Sequence, residues 1–284
     1  MSRVHTGRLR LTWEGAGSAK YDSFMETVLF SVDDGIATVT LNRPDRFNAL
    51  NLQMAQDLYR AAIACGEDPT IRAVVITGAG KAFFAGGDLS AFAEAGPKRG
   101  ALIREMTASF HSAISRFNSL DAPVIAAVNG VAAGAGFSMM LACDLVVARK
   151  SAKFTMAYTK AGLAIDGGSS YFLARIVGLR RAQELMLTNR TLSADEALEW
   201  GLLTRVVEDG DFDASVSALA SEIASGPTRS FGAAKRLIRR GLDESLESQM
   251  EWETGEMALA SLRKDGLEGV DAFLNKRAAT FTGE

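Results

Sequence analysis

Two turns made of small residues each follow an apolar run that is typical of a buried strand. Residues 82–89 read AFFAGGDL, and residues 129–136 read NGVAAGAG. Small residues leave backbone N–H groups accessible to a ligand, and the second turn opens a predicted helix, whose N-terminus attracts negative charge. Two such turns that converge on one oxygen can form an oxyanion hole. Tight turns of an α/β fold explain the pattern equally well, and neither is a phosphate-binding P-loop.

A carboxylate stands in a third turn, GLAIDGG at residues 162–168. Asp166 is flanked there by apolar residues and glycines, a setting that suits proton transfer. An Asp shortly before a helix is also a common N-cap, and a helix is predicted from Ser169. His111 lies on an apolar helix face, where packing explains it as well as chemistry does. With His5 as the other histidine and no His/Cys cluster, no zinc or iron site is expected.

Strands and helices alternate over the first two thirds of the chain, which predicts an α/β core of βαβ units. The remainder is predicted to be helical. Strands are predicted in the hairpin 27–41 and at 73–78, 123–128, 145–148 and 206–207. Helices are predicted at 51–65, 100–118, 134–142, 169–177, 179–187, 194–200, 213–262 and 267–278.

Composition and charge argue against several classes of protein. The chain has 284 residues, 48% of them hydrophobic, and a net charge of −3, which argues against an electrostatic grip on nucleic acid. No apolar run is long enough to span a membrane. Cys65 and Cys143 are expected to be buried free thiols in a reducing, cytoplasmic compartment. Residues 1–24 are expected to form a disordered extension or to precede a true start at Met25, with a transit peptide as the weaker alternative.

Several motifs, in this order, make the chain resemble the crotonase (enoyl-CoA hydratase/isomerase) superfamily. The resemblance extends from about Glu26 to Gly283 and is carried by LNRP (41–44), NAL (48–50), AFFAGGDL (82–89), PVIAAVNGVAAGAG (123–136), ACD (142–144), SAKF (151–154) and FLNKR (273–277). It implies a ββα spiral core over residues 25–200, a helical trimerisation region over 201–284, and homotrimers or hexamers. It also implies an acyl-CoA thioester whose carbonyl lies between the N–H groups of Gly87 and Ala135. Coenzyme A is then part of the substrate, and no cofactor is expected.

The acid/base residues decide which reaction is expected. Hydratases of this superfamily hold a water between two glutamates, and the matching positions here are Ser138 and Tyr158, neither of which is a competent base at neutral pH. Asp166 matches the catalytic Asp of ring-epoxide/oxepin isomerases, an acid/base Asp of dienoyl-CoA isomerases and the nucleophilic Asp of 4-chlorobenzoyl-CoA dehalogenase. The resemblance therefore implies an enolate-stabilising isomerase of an enoyl- or ring-type acyl-CoA. The alternatives are an enoyl-CoA hydratase, an aryl-CoA dehalogenase in which His111 assists Asp166, and a non-catalytic acyl-CoA- or RNA-binding paralogue.

A further set of residues is expected to contact the substrate. Arg43, Arg46 and Lys276 are the best cations for the CoA phosphates, and the resemblance implies that Lys276 reaches the CoA of an adjacent subunit. A solvated surface charge is the alternative for each of them and is the interpretation preferred for Arg43. Aromatic side chains at 84, 92, 110, 137 and 158 predict an apolar acyl pocket, or else belong to the core. The full predicted contact set is Arg46, Ala49, Ala85, Asp88, Phe110, His111, Ser138, Tyr158 and Lys276.

Overall fold

The computed structural model describes residues 25–284, so the predictions for residues 1–24 lie outside the described part. Its larger sheet has six strands, in the spatial order β1 (Val28–Asp33), β2 (Ile36–Leu41), β3 (Ala73–Gly78), β5 (Val124–Val128), β7 (Leu145–Arg149) and β10 (Arg205–Val207). The β1–β2 pair is antiparallel and the other pairs are parallel. The short apolar runs predicted as buried strands thus form the centre of the sheet, where both faces are covered.

A smaller sheet has four strands of two or three residues each, which are too short to be predicted from periodicity. They are ordered β4 (Ala82–Phe84), β6 (Val131–Ala133), β8 (Lys153–Thr155) and β9 (Leu192–Ser193). Strands β3, β5 and β7 of the larger sheet are each followed by a strand of the smaller one and then by a helix, which is the predicted ββα arrangement. Because β4 pairs with β6 in parallel, the two small-residue turns leave the sheet side by side.

Ten helices surround these sheets in the described part of the chain. They are α1 (Leu52–Glu67), α2 (Leu89–Glu94), α3 (Arg99–Ser119), α4 (Ala135–Leu141), α5 (Ser169–Thr188), α6 (Ala194–Glu199), α7 (Phe212–Ala224), α8 (Thr228–Arg240), α9 (Leu246–Leu262) and α10 (Lys264–Leu274). The main core packs α1, α3 and α4 against one face of the larger sheet. Helix α7 covers the opposite face, where Phe212 and Val216 pack with Val75, Ile125 and Val147.

Three helix boundaries have a local explanation in residue type. The Asn51 side chain accepts a hydrogen bond from the Met54 N–H and caps α1. Gly201, at a φ of 78°, follows the end of α6 as predicted. Gly178 (φ 78°, ψ 162°) interrupts α5 between the two helices predicted at 169–177 and 179–187. The positions of Gly178 and Gly201 suit glycine because its lack of a Cβ permits positive φ.

The C-terminal part differs from the single helical run predicted over 213–262. That segment is divided into α7, α8 and α9, and α9 buries none of its residues. Strand β10 pairs with β7, and α7 packs on the larger sheet, so both belong with the sheets although they lie beyond residue 200. None of the helices between residues 25 and 284 is long and apolar enough to cross a membrane.

Candidate functional site

A cavity of about 320 Å³ lies where the two small-residue turns meet the loop before α5. Its wall is mostly apolar, with polar side chains of Thr107, Tyr158 and Asp166. Among the residues that line it, Asp166 is the one carboxylate. The apolar side chains of the wall are Leu50, Leu89, Phe92, Ile103, Met106, Leu163 and Ile165. An apolar cavity with few convergent polar groups is the usual form of a small-molecule site.

The predicted oxyanion donors, Gly87 and Ala135, both line this cavity. The backbone of Leu50 binds the residues on both sides of Gly87. The Leu50 N–H donates to the Gly86 carbonyl at 2.7 Å, and the Leu50 carbonyl accepts from the Asp88 N–H at 2.9 Å. Ala135 is the first residue of α4, where a backbone N–H has no acceptor within its own helix. No residue between 25 and 284 accepts a hydrogen bond from either N–H. Both donors are therefore free to bind an oxygen in the cavity.

Glycine is required where the second turn approaches the first. A Cβ at Gly136 would lie 2.0 Å from the Phe84 carbonyl oxygen, so a larger residue would push α4 away from β4. Gly134 precedes α4 with a φ of 50° and a ψ of −120°, which side chains disfavour. The convergence of the two turns therefore depends on these glycines.

An ion pair supports the loop that carries Gly87. The Arg43 guanidinium lies 2.9 Å from Asp88 and also donates to the Ala49 carbonyl. Asp88 accepts from the N–H groups of Ser90 and Ala91 and so caps α2. Burial opposes ionisation of Asp88, but Arg43 and these amides outweigh it and lower the pKa of the carboxyl below its ordinary value. The interpretation of Arg43 as a solvated charge is wrong, because its side chain is 16% exposed and paired.

The side chain of Asp166 contacts other residues of the site, whereas its backbone carbonyl contacts the start of α5. The Tyr158 hydroxyl donates to Asp166 Oδ1 at 2.5 Å, and His111 Nε2 lies 3.7 Å from Asp166 Oδ2. The N-cap of α5 is Gly168, with no side-chain cap, and only the Asp166 carbonyl accepts from the Ser169 N–H and hydroxyl. The alternative in which Asp166 serves as a helix cap is therefore wrong, and its carboxylate is available for chemistry.

His111 is held by the backbone next to Asp166. The Gly167 N–H donates to His111 Nε2 at 3.1 Å. A ring nitrogen that accepts a hydrogen bond carries no proton, which assigns the neutral tautomer with its proton on Nδ1. The sequence did not decide whether His111 packs in the core or takes part in the chemistry. In the structure it lies beside the Asp166 carboxylate.

Tyr158 and Ser138 complete the polar cluster. The Tyr158 hydroxyl lies 2.9 Å from Ser138 Oγ, and Ser138 is fully buried beneath it. Burial, reinforced by the charge of Asp166, raises the pKa of the Tyr158 hydroxyl above its ordinary value. The phenol therefore stays neutral and acts as a hydrogen-bond donor, in agreement with the expectation that it is no base.

The remaining predicted contact residues lie at different depths. Ala85 lines the cavity, while Phe110 is fully buried behind the wall with its ring edge against Phe84. Arg46 and Lys276 are exposed and lie outside the cavity wall of this single chain. Among the aromatic side chains considered for the pocket, Phe92 and Tyr158 line it, and Phe137 is core.

Sequence reasoning missed the apolar wall that α3 and the loop before α5 contribute. Ile103 and Met106 lie on one face of α3, at the spacing of neighbours on a helix, and Leu163 and Ile165 flank Ala164 in the loop. The spacing on α3 was a usable signal, but it indicates only a buried face. It does not distinguish a cavity wall from core.

Comparison with known proteins finds one family that matches most of the chain. The family model described as enoyl-CoA hydratase/isomerase matches residues 31–284. The chain is 40% identical over 262 residues to the 1,2-epoxyphenylacetyl-CoA isomerase of Escherichia coli strain K12, covering 92% of this chain and 100% of the relative. It is also 40% identical over 222 residues to 4-chlorobenzoyl coenzyme A dehalogenase-2 of an Arthrobacter species, covering 78% and 80%. The crystal structure of an enoyl-CoA hydratase from Polaromonas sp. JS666 superimposes with a TM-score of 0.86 at 32% identity, covering 90% and 99%.

Proposed function

Because the chain belongs to the enoyl-CoA hydratase/isomerase family, the crotonase superfamily, and is an acyl-CoA-processing enzyme, we propose that it isomerises an enoyl- or ring-type acyl-CoA thioester with Asp166 as the acid/base. The observation that carries this proposal is the position of Asp166. It is the one carboxylate among the described residues that line the cavity, and it shares that cavity with two unoccupied backbone donors. This pairing suits abstraction of a proton next to a thioester.

The proposed reaction moves one proton and no other group. Asp166 takes a proton from a carbon α or γ to the thioester, and the electron pair of that C–H bond moves toward the carbonyl oxygen. The N–H groups of Gly87 and Ala135 stabilise the enolate oxygen that forms, on the order of 3 kcal/mol for each donor. Protonated Asp166 then returns a proton to a different carbon, and the carbonyl re-forms. The double bond has moved, and the composition of the thioester is unchanged.

A dehalogenase is the second candidate, and one observation favours it. His111 Nε2 lies 3.7 Å from Asp166 Oδ2, and one of the similar proteins is a 4-chlorobenzoyl coenzyme A dehalogenase. In that reaction Asp166 would attack a ring carbon and displace halide, and water would then hydrolyse the aryl ester. Hydration has less support, because Ser138 and Tyr158 offer no base. A non-catalytic paralogue would bind thioesters without converting them.

Product masses separate these reactions. We expect a panel of CoA thioesters to contain a substrate that the protein converts to an isomer of unchanged mass. Crotonyl-CoA should gain water with a kcat/KM below the ~10⁴–10⁸ M⁻¹s⁻¹ typical of an enzyme on its own substrate, because the described residues that line the cavity include no carboxylate pair to orient and deprotonate the water. Mass spectrometry and a hydration assay measure both quantities.

Hydration of crotonyl-CoA within that range would show the proposal to be wrong and would make the protein a hydratase. Exchange of chlorine for hydroxyl on an aryl-CoA, without any isomerisation, would favour the dehalogenase. Binding of every thioester with turnover of none would identify a binding protein.

We also propose that the chain assembles into trimers, singly or in pairs, through the surface formed by α9 and α10. Apolar side chains on this surface are 48–83% exposed in the single chain: Leu246, Met250, Trp252, Met257, Leu259, Leu262, Leu267, Val270, Phe273 and Leu274. Monomers rarely expose apolar patches of this extent. In such an assembly, Arg46 of one chain and Lys276 of its neighbour are proposed to bind the CoA phosphates.

Light scattering at micromolar concentration is therefore expected to give the mass of a trimer or hexamer. Met257→Glu should shift the protein toward monomers, because it places a charge on the apolar surface, whereas Glu251→Gln on the same helix should not. A wild-type monomer would contradict the assembly and the role proposed for Lys276.

A further inference from the structure

The Tyr158 hydroxyl has one proton and two oxygen neighbours, Asp166 Oδ1 at 2.5 Å and Ser138 Oγ at 2.9 Å. An ionised carboxylate only accepts, so the phenolic proton points to Asp166. Ser138 Oγ also lies 3.2 Å from the Gly134 carbonyl, but a proton donated there would leave two hydroxyl oxygens 2.9 Å apart with no proton between them, so Ser138 donates to Tyr158. The hydrogen bonds therefore run in one direction, from Ser138 through Tyr158 to Asp166.

The two carboxylate oxygens of Asp166 consequently have different surroundings. Oδ1 receives the short Tyr158 hydrogen bond, whereas the neighbour of Oδ2 is His111 Nε2 at 3.7 Å. That nitrogen already accepts from the Gly167 N–H, so it has no proton to offer. Asp166 lines the cavity, and no described residue donates a hydrogen bond to Oδ2.

The backbone next to Asp166 is also fixed. Gly167 adopts a φ of 62°, and a Cβ built on it would lie 2.8 Å from the Ser138 Cβ and 3.1 Å from the Phe110 ring. The segment is therefore pressed against α3 and α4. The rotation of the Asp166 carboxyl group is the freedom that remains, and the Tyr158 hydroxyl restrains it.

From these contacts we infer that Ser138 and Tyr158 are positioning residues that anchor Asp166 Oδ1 and leave Oδ2 as the oxygen that exchanges the proton with the substrate. This inference rests on the proposed function for its kinetic consequences, but the anchoring itself does not depend on which reaction the enzyme runs. Proton transfer is sensitive to the orientation of the base, so loss of the anchor should reduce turnover more than binding.

Tyr158→Phe tests the inference, because it keeps the ring and removes the donor. We expect kcat for isomerisation to fall by about 10- to 100-fold, within the factor that a positioned acid/base contributes, with KM changed by less than about threefold. Tyr59→Phe, on α1 and outside the cavity, is the matched control and should behave as wild type.

Ser138→Ala tests whether Ser138 acts on Asp166 through the Tyr158 hydroxyl, here called the relay, or independently of it. It should lower kcat by less than Tyr158→Phe, and the double variant should match Tyr158→Phe within about twofold, because Ser138 acts through Tyr158. If the fold losses of kcat in the two single variants multiply in the double variant, the relay is wrong. A kcat of Tyr158→Phe within twofold of wild type would overturn the anchoring.

A readout independent of turnover separates this inference from the proposed function. The carboxyl ¹³C resonance of Asp166, assigned by its absence in Asp166→Asn, should have a different chemical shift in Tyr158→Phe than in wild type at the same pH, because Oδ1 loses its hydrogen bond. This difference in a protein whose Asp166→Asn variant keeps full isomerase activity would support the anchoring while contradicting the proposed function. An unchanged chemical shift would overturn the anchoring even if isomerisation is confirmed.

Discussion

Asp166→Asn is expected to lower isomerisation turnover by at least ~100-fold, the usual scale for the loss of a positioned acid/base. The amide has nearly the same shape but cannot accept the substrate proton. It can still accept from the Tyr158 hydroxyl, and the backbone contacts of Asp166 with Ser169 are unaffected, so the fold should persist. Steady-state kinetics, CoA-thioester binding and thermal unfolding measure the three quantities.

Asp195→Asn is the matched control for this variant. Asp195 is 63% exposed and pairs with Lys150 on the surface, so the same substitution there should leave turnover unchanged. If Asp166→Asn retains turnover within threefold of wild type, Asp166 is not the group that moves the proton.

Ala135→Pro is expected to lower kcat by ~10²–10³-fold, or about 2.7–4 kcal/mol, the range measured when one oxyanion donor is removed. Proline has no N–H, and its ring would occupy the place of the donated hydrogen. The helix should tolerate it, because the first position of a helix has no N–H partner to lose and suits the φ of proline. Gly134 precedes it and has no Cβ to clash with the ring.

Ala135→Gly is the matched control, since it trims the side chain but keeps the donor. It should retain most of the turnover, and both variants should unfold cooperatively with CD spectra like that of the wild type. Turnover of Ala135→Pro close to that of Ala135→Gly would mean that this N–H does not bind the thioester oxygen.

The sequence predicts the elements of the fold well where one signal dominates. The apolar runs at 73–78 and 123–128 form central strands, and Asn51 caps α1 as its side-chain chemistry predicts. The smaller sheet was not predicted, because strands of two or three residues carry no measurable alternation. The separate helices within 213–262 were also missed, since exposed helices such as α9 keep no clear division between buried and solvated faces.

The sequence pointed to several residues of the candidate site but not to the contacts between them. The two turns and Asp166 stand out through residue type and spacing, and the structure brings them to one cavity. The contacts of Arg43 with Asp88, and of Tyr158 with Asp166, join residues 45 and 8 positions apart and depend on how the loops fold. Tyr158 was judged by what it cannot do as a base, and only the geometry shows it as a donor to the carboxylate.

The central claim is that Asp166 moves a proton at a carbon of the acyl group, and turnover in D₂O tests it most directly. The Asp166 side chain is 28% exposed, so its proton can exchange with solvent between abstraction and return. Mass spectrometry of the wild-type reaction should show an isomer that carries solvent deuterium and no solvent oxygen, whereas Asp166→Asn should yield neither isomer nor deuterated substrate above the buffer background. Deuterium exchange by Asp166→Asn at the wild-type rate, or solvent oxygen in the wild-type product, would contradict the claim.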